Sequence, residues 1–200
     1  MFDERFRAIF AGVMAGPVRT LARVGVSPNQ VTVAGGLLGA AGGLLVARGH
    51  PMVGLATWLG SRVLDGMDGV LARATGRGSA FGGYLDITFD MFAYSAMLLG
   101  IGATRPEGGV VWEVILAGYL LVSTSTLALA ATLEATSDKV VRTDRSIRFT
   151  PGFAEAGETT LTYTLLVLLP GFTVPIAWTW VVLLGATAVQ RTLLARRLLG

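Results

Sequence analysis

The sequence predicts an all-α integral membrane protein, six transmembrane helices preceded by an N-terminal interfacial amphipathic helix. Three observations carry that prediction. Apolar residues make up 52% of the chain and charged residues only 14%, where a soluble protein carries about 25% charged residues. Apolar stretches close to the ~20 residues that a helix needs to cross hydrocarbon recur from residue 30 to the end. The basic residues gather on one side of the topology that those stretches imply. The length is that of one domain, expected over 1–200, with 1–26 as the interfacial helix and 27–200 as the six-helix bundle.

Within 1–26, Phe6, Ile9, Phe10, Val13 and Met14 recur at helical spacing, with Arg5, Arg7, Arg19 and Arg23 among them. That pattern suits a helix lying in the plane of the interface. Early acids and arginines, and no continuous apolar run, do not compose a cleavable signal. The spans follow at 30–48, 52–72, 80–103, 110–134, 154–170 and 173–192. Gly49-His50-Pro51, Thr75-Gly76-Arg77-Gly78, Arg105-Pro106-Glu107-Gly108-Gly109 and Pro170-Gly171 separate them, since Gly and Pro punctuate helices. His50 therefore reads as a turn residue. The first span contains Gly35, Gly36, Gly39, Gly42 and Gly43, small residues whose spacing lets helix backbones approach closely in lipid. With no strand before it, this run is a packing surface and not a phosphate loop. Trp58, Trp112, Trp178 and Trp180 read as interface anchors or packing residues.

Charge orients the spans. Of the 16 basic residues, an N-in topology leaves only Arg48 and Arg105 outside, with Arg62 inside a span. This bias puts both termini, and the polar 135–151 loop, in the cytoplasm. The basic residues form no continuous face, so no nucleic-acid partner is expected. The absence of cysteine excludes disulfides and thiolate metal sites.

Asp65, Asp68, Asp86 and Asp90 lie within or at the ends of apolar spans, where carboxylates are costly unless paired with a cation or water. Asp65 and Asp68 are three residues apart and Asp86 and Asp90 four, so each pair shares one helix face. Gly69, Ala72 and Gly82 leave room beside them. Hard oxygen ligands without His or Cys suit Mg²⁺ or Mn²⁺. Four acids can hold two ions, an arrangement that favours displacement at phosphorus. The active site would then face the cytoplasm. Two other readings use the same acids: buried ion pairs with Arg62, Arg73 and Arg77, and a cation-conducting or transport site. The second needs a continuous polar path, and the outer halves of the spans carry almost no polar side chains.

Asp65-Gly66-Met67-Asp68-Gly69-Val70-Leu71-Ala72-Arg73, then Gly82, Asp86 and Asp90, fill every fixed position of D-x-x-D-G-x-x-A-R-x8-G-x3-D-x3-D. This pattern resembles the signature of the CDP-alcohol phosphatidyltransferases. Ser27-Pro28-Asn29-Gln30-Val31-Thr32 is similar to that family's Pro-Asn-x-x-Thr opening of the first span. The resemblance implies metal-dependent transfer of a phosphatidyl group from a CDP-linked lipid, usually CDP-diacylglycerol, to a small alcohol, with release of CMP. It implies metal ligation by Asp65, Asp68 and Asp86, and a general-base role for Asp90, which can also touch a metal. It places Asn29, Gln30, Gly69, Ala72, Arg73, Ser79 and Gly82 around the cytidine and pyrophosphate. It also implies a homodimer, with which the glycine-rich helices agree. A CDP-linked headgroup alcohol donating to a lipid acceptor is the alternative direction of the same chemistry.

The acceptor is less legible. Inositol-phosphate-using members carry an Arg-Ala-Glu-like stretch late in the fourth span, and Leu127 to Glu134 lack those arginines. Ser123 to Thr126 can bond across helices or line the acceptor cavity. Lys139, Arg142, Arg145 and Arg148 serve topology and anionic lipid headgroups, or capture an anionic acceptor, with Arg142 the candidate contact. Glu155 suits a helix N-terminus, whereas Glu158 sits deeper and is a candidate for the acceptor's hydroxyl or cationic group.

Overall fold

The computed structural model describes residues 2–136 and 156–199, and every regular element among them is helical. Seven α-helices run α1 Phe2–Arg23, α2 Pro28–Ala47, α3 Pro51–Thr75, α4 Ala80–Thr104, α5 Val111–Thr136, α6 Ala156–Leu168 and α7 Thr173–Leu199. Short 3-10 turns at Pro106–Gly108 and Pro170–Phe172 precede α5 and α7. The chain divides into two compact units, Met1–Thr104 and Arg105–Gly200.

In the first unit, local chemistry sets each helix start and stop. Ser27 caps α2: its hydroxyl accepts the Gln30 N–H, the Gln30 side chain accepts the Ser27 N–H at 2.8 Å, and Pro28 follows in the first turn. Pro51 opens α3, and Gly76 closes it in the left-handed region at φ 65°. The Ser79 hydroxyl accepts the Gly82 N–H at 3.0 Å at the start of α4.

The glycines of α2 pack as the sequence predicts. A Cβ on Gly42 would meet the Gly54 carbonyl of α3 at 2.9 Å, and one on Gly35 the Leu64 Cβ at 3.3 Å. On the α4 side, Gly43 lies against the Ala96 backbone and Gly36 against the Phe89 ring. Helix α2 is thus the shared partner of α3 and α4 and brings their acid-bearing halves together. The second half of α1 docks on α3, where Val18 joins Val31, Met67 and Leu71 in one apolar cluster.

In the second unit, α7 packs against α5 and α6. Leu184 seats over Gly118, and the buried Trp180 donates its Nε1–H to the Tyr119 hydroxyl at 2.9 Å.

Among the described residues, four segments are long and apolar enough to cross a membrane: Pro28–Ala47, Ala80–Thr104, Val111–Ala135 and Pro170–Leu199. Helix α3 has the length, but Arg62, Asp65, Asp68 and Arg73 interrupt its apolar run. Helix α6 has only 13 described residues, about 20 Å at the α-helical rise.

Candidate active site

The four aspartates belong to two helices held side by side on α2. Asp65 and Asp68 occupy one face of α3, and Asp86 and Asp90 one face of α4. Oxygens from Asp65, Asp68 and Asp86 all lie within 4.8 Å of one another. Asp90 stands next to Asp65 but outside that trio, and its Oδ1 accepts a hydrogen bond from Arg62 Nη1 at 2.6 Å. The same Arg62 nitrogen is 4.0 Å from Asp65 Oδ2. Of the three ion-pair partners considered from sequence, Arg62 is therefore the one engaged with this cluster.

Asp68 is buried at 7% exposure, and its Oδ2 accepts the Thr32 hydroxyl from the second turn of α2. Asp65 is half-buried and Asp86 exposed. The donor set is all carboxylate oxygen: the chain has no Cys, and its one His lies at the opposite end of α3. Such a set fits a hard divalent ion held at about 2.0–2.1 Å. Three carboxylates this close would repel strongly without a cation to share.

An open cleft of about 140 Å³ adjoins Asp68 and Asp86, lined by Pro28, Asn29, Thr32, Gly69, Ala72, Arg77, Gly78, Ser79, Gly82 and Gly83. Of the residues expected around the CDP group, Asn29, Gly69, Ala72, Ser79 and Gly82 line it. The absence of a side chain at Gly82 keeps it open, since a Cβ there would stand 3.0 Å from the Asn29 amide oxygen. Arg73 is exposed and not part of the lining, though its guanidinium folds over Gly69. Gln30 does not line the cleft either; its side chain closes the α2 cap. Glu158 is exposed in the first turn of α6, in the second unit, and Arg142 lies outside the described residues.

Arg77, read from sequence as a topology charge or an ion-pair partner, lines the cleft, and Arg62, read as one of three possible ion-pair partners, meets Asp90. Arg77 sits in the short connection between the two acid-bearing helices, so its reach to their shared cleft was readable. The pairing of Arg62 was not, because it depends on the register of α3 against α4.

A family model described as CDP-alcohol phosphatidyltransferase matches residues 25–190. The chain is 39% identical over 112 residues to the archaetidylinositol phosphate synthase of Pyrococcus horikoshii, covering 54% of this chain and 57% of that protein. It is 31% identical to the phosphatidylinositol phosphate synthase of Cutibacterium acnes over 97% of both chains. The chain thus spans little more than half of the archaeal relative and nearly all of the bacterial one. Among solved structures, the phosphatidylinositol phosphate synthase of Mycobacterium tuberculosis shares the fold. Its structure in complex with manganese and citrate superposes with a TM-score of 0.75 at 25% identity, covering 90% of this chain and 87% of that one. Its structure with CDP-DAG bound gives a TM-score of 0.75 at 24% identity over 94% of each.

Proposed function

The chain belongs to the CDP-alcohol phosphatidyltransferase family, and on that premise we propose that it transfers a phosphatidyl group from CDP-diacylglycerol to an alcohol. The alcohol oxygen bonds to the lipid-bearing phosphorus, the bond from that phosphorus to the CMP phosphate oxygen breaks, and CMP leaves. The observation that carries this reading is the convergence of Asp65, Asp68 and Asp86 oxygens within 4.8 Å beside the cleft.

Asp65, Asp68 and Asp86 would hold Mg²⁺ or Mn²⁺, with Asp90 contributing to a second ion. Bound there, divalent cations supply charge neutralisation at the pyrophosphate and the leaving group. The relative solved with manganese supports that choice of metal. Asn29, Ser79 and Arg77 offer polar contacts to the cytidine and phosphates, and Gly69 and Gly82 admit them without obstruction. Arg73, at the rim over Gly69, adds positive charge. An alcohol is a poor nucleophile at neutral pH, so Asp90 takes its proton as the oxygen attacks.

In the membrane, α1 lies in the interface and α2 to α7 cross as a single domain with both termini and the cleft on the cytoplasmic side. Helix α3 tolerates its inner charges because Arg62 lies beside Asp65 and Asp90 and Asp68 faces the cleft. A homodimer completes the proposal. The relatives are named for archaetidylinositol phosphate and phosphatidylinositol phosphate, so inositol phosphate heads the alcohols to be tried; unphosphorylated alcohols follow, because Leu127 to Glu134 lack arginine.

The test of the assigned roles is Asp90→Asn. It should retain CDP-diacylglycerol binding and lower turnover by about a hundredfold or more, the scale of general-base catalysis. Transfer at the wild-type rate in this variant would remove Asp90 from the mechanism.

A further inference from the structure

Arginine at mid-membrane depth is costly unless its charge is paired, and Arg62 stands near the middle of α3 with its guanidinium held by groups of α3 and α4. Nη1 donates to Asp90 Oδ1 at 2.6 Å and lies 4.0 Å from Asp65 Oδ2. Nε donates to the Ser61 hydroxyl at 3.2 Å. The group packs over the buried rings of Trp58, at 4.5 Å from its centroid, and Tyr94, at 5.0 Å. Helix α2 closes tightly over this side of the pair: a Cβ on Gly39 would stand 2.7 Å from the Ala93 Cβ of α4 and 3.0 Å from the Ser61 hydroxyl oxygen. Side chains of α3 and α4 therefore fix one cation, and that cation holds one oxygen of Asp90.

We infer that Arg62 is the positioning residue for Asp90: it pins Oδ1 and so fixes where Oδ2 stands to receive the alcohol proton. The inference rests on the proposed reaction and adds to it a residue that the family signature does not contain. Arginine stays protonated in proteins, so it cannot replace Asp90 as proton acceptor and acts only through it. Stacking and directional donation need the planar group. Lysine keeps the charge but loses the fork and most of the ring contact.

The test uses the full chain in lipid nanodiscs with CDP-diacylglycerol, Mn²⁺ and a panel of alcohols headed by inositol phosphate, comparing wild type, R62M, R62K, D90N and R62M/D90N. Wild-type CMP release checks the reaction separately from Arg62. In R62M, kcat should fall by about a hundredfold while KM for CDP-diacylglycerol stays within about threefold, as expected when a base is misplaced but the donor site is intact. R62K should recover about tenfold of that loss. Thermal melting supplies an arm that needs no turnover. Melted without added metal, R62M leaves the half-buried Asp90 with no cation beside it and should melt below R62M/D90N, which removes both charges. If the wild type releases CMP but R62M keeps its kcat, or raises only KM, Arg62 is not positioning Asp90. Melting shifts of R62M and D90N that simply add in the double variant would also overturn the assignment. No CMP from the wild type would overturn the reaction and the inference together.

Discussion

Asp68 is the most enclosed of the site carboxylates, and one of its oxygens is oriented by the Thr32 hydroxyl. Such outer contacts fix a ligand's aim and typically alter metal affinity by about 10–100-fold when removed. Thr32→Val should therefore weaken Mn²⁺ binding by at least about tenfold, measured by titration of the purified chain; unchanged affinity would mean that the hydroxyl does not orient the ligand. At this scale the aspartates were legible because spacings of three and four can only mean shared helix faces. The cleft-lining Asn29, Gly69, Ala72, Ser79 and Gly82 were legible through the family resemblance. Gln30 was read as a nucleotide contact, yet Ser27-x-x-Gln30 is itself a capping pattern, and the side chain is spent there. Arg62 was visible only as one of several possible ion-pair partners, since nothing in a single helix says which neighbouring carboxylate it meets.

Helix boundaries followed the punctuation. Pro28, Pro51 and the Gly76 cap set ends close to those expected, because each acts through local backbone chemistry. Helix α7 instead continues to Leu199, beyond the expected end at 192. Hydropathy fades at Arg196 and Arg197, but helical hydrogen bonding does not depend on hydropathy. The glycine run of α2 was read as packing, and the contacts explain its strictness: Gly43 already touches the Ala96 backbone of α4, which cannot swing aside as a side chain can. Gly43→Leu should therefore destabilise by on the order of 1–3 kcal/mol or more and lower the thermal midpoint. Gly185→Ala on α7, where a Cβ meets open space, should shift it little. Equal effects of the two would mean that α2 does not set the spacing of the acid-bearing helices.

For the whole molecule, the fold class was written in composition and in the recurrence of apolar segments, while the number of crossings was harder to read. Helix α3 carries the charges of the candidate site, so the residues proposed to do the chemistry are those that blur its membrane signal. The absence of cysteine makes topology testable without background labelling. A cysteine replacing Arg48 should react with an impermeant maleimide from outside the cell, and one replacing Arg196 only after permeabilisation; the reverse pattern would invert the orientation. The central claim, CMP-releasing transfer at the four-aspartate site, is tested most directly by CMP formation from CDP-diacylglycerol and the alcohol panel with purified protein. The account predicts CMP together with a matching phospholipid, abolished by chelation and restored by Mg²⁺ or Mn²⁺. Metal-independent CMP release, or none with any alcohol while the protein conducts cations in vesicles, would contradict it.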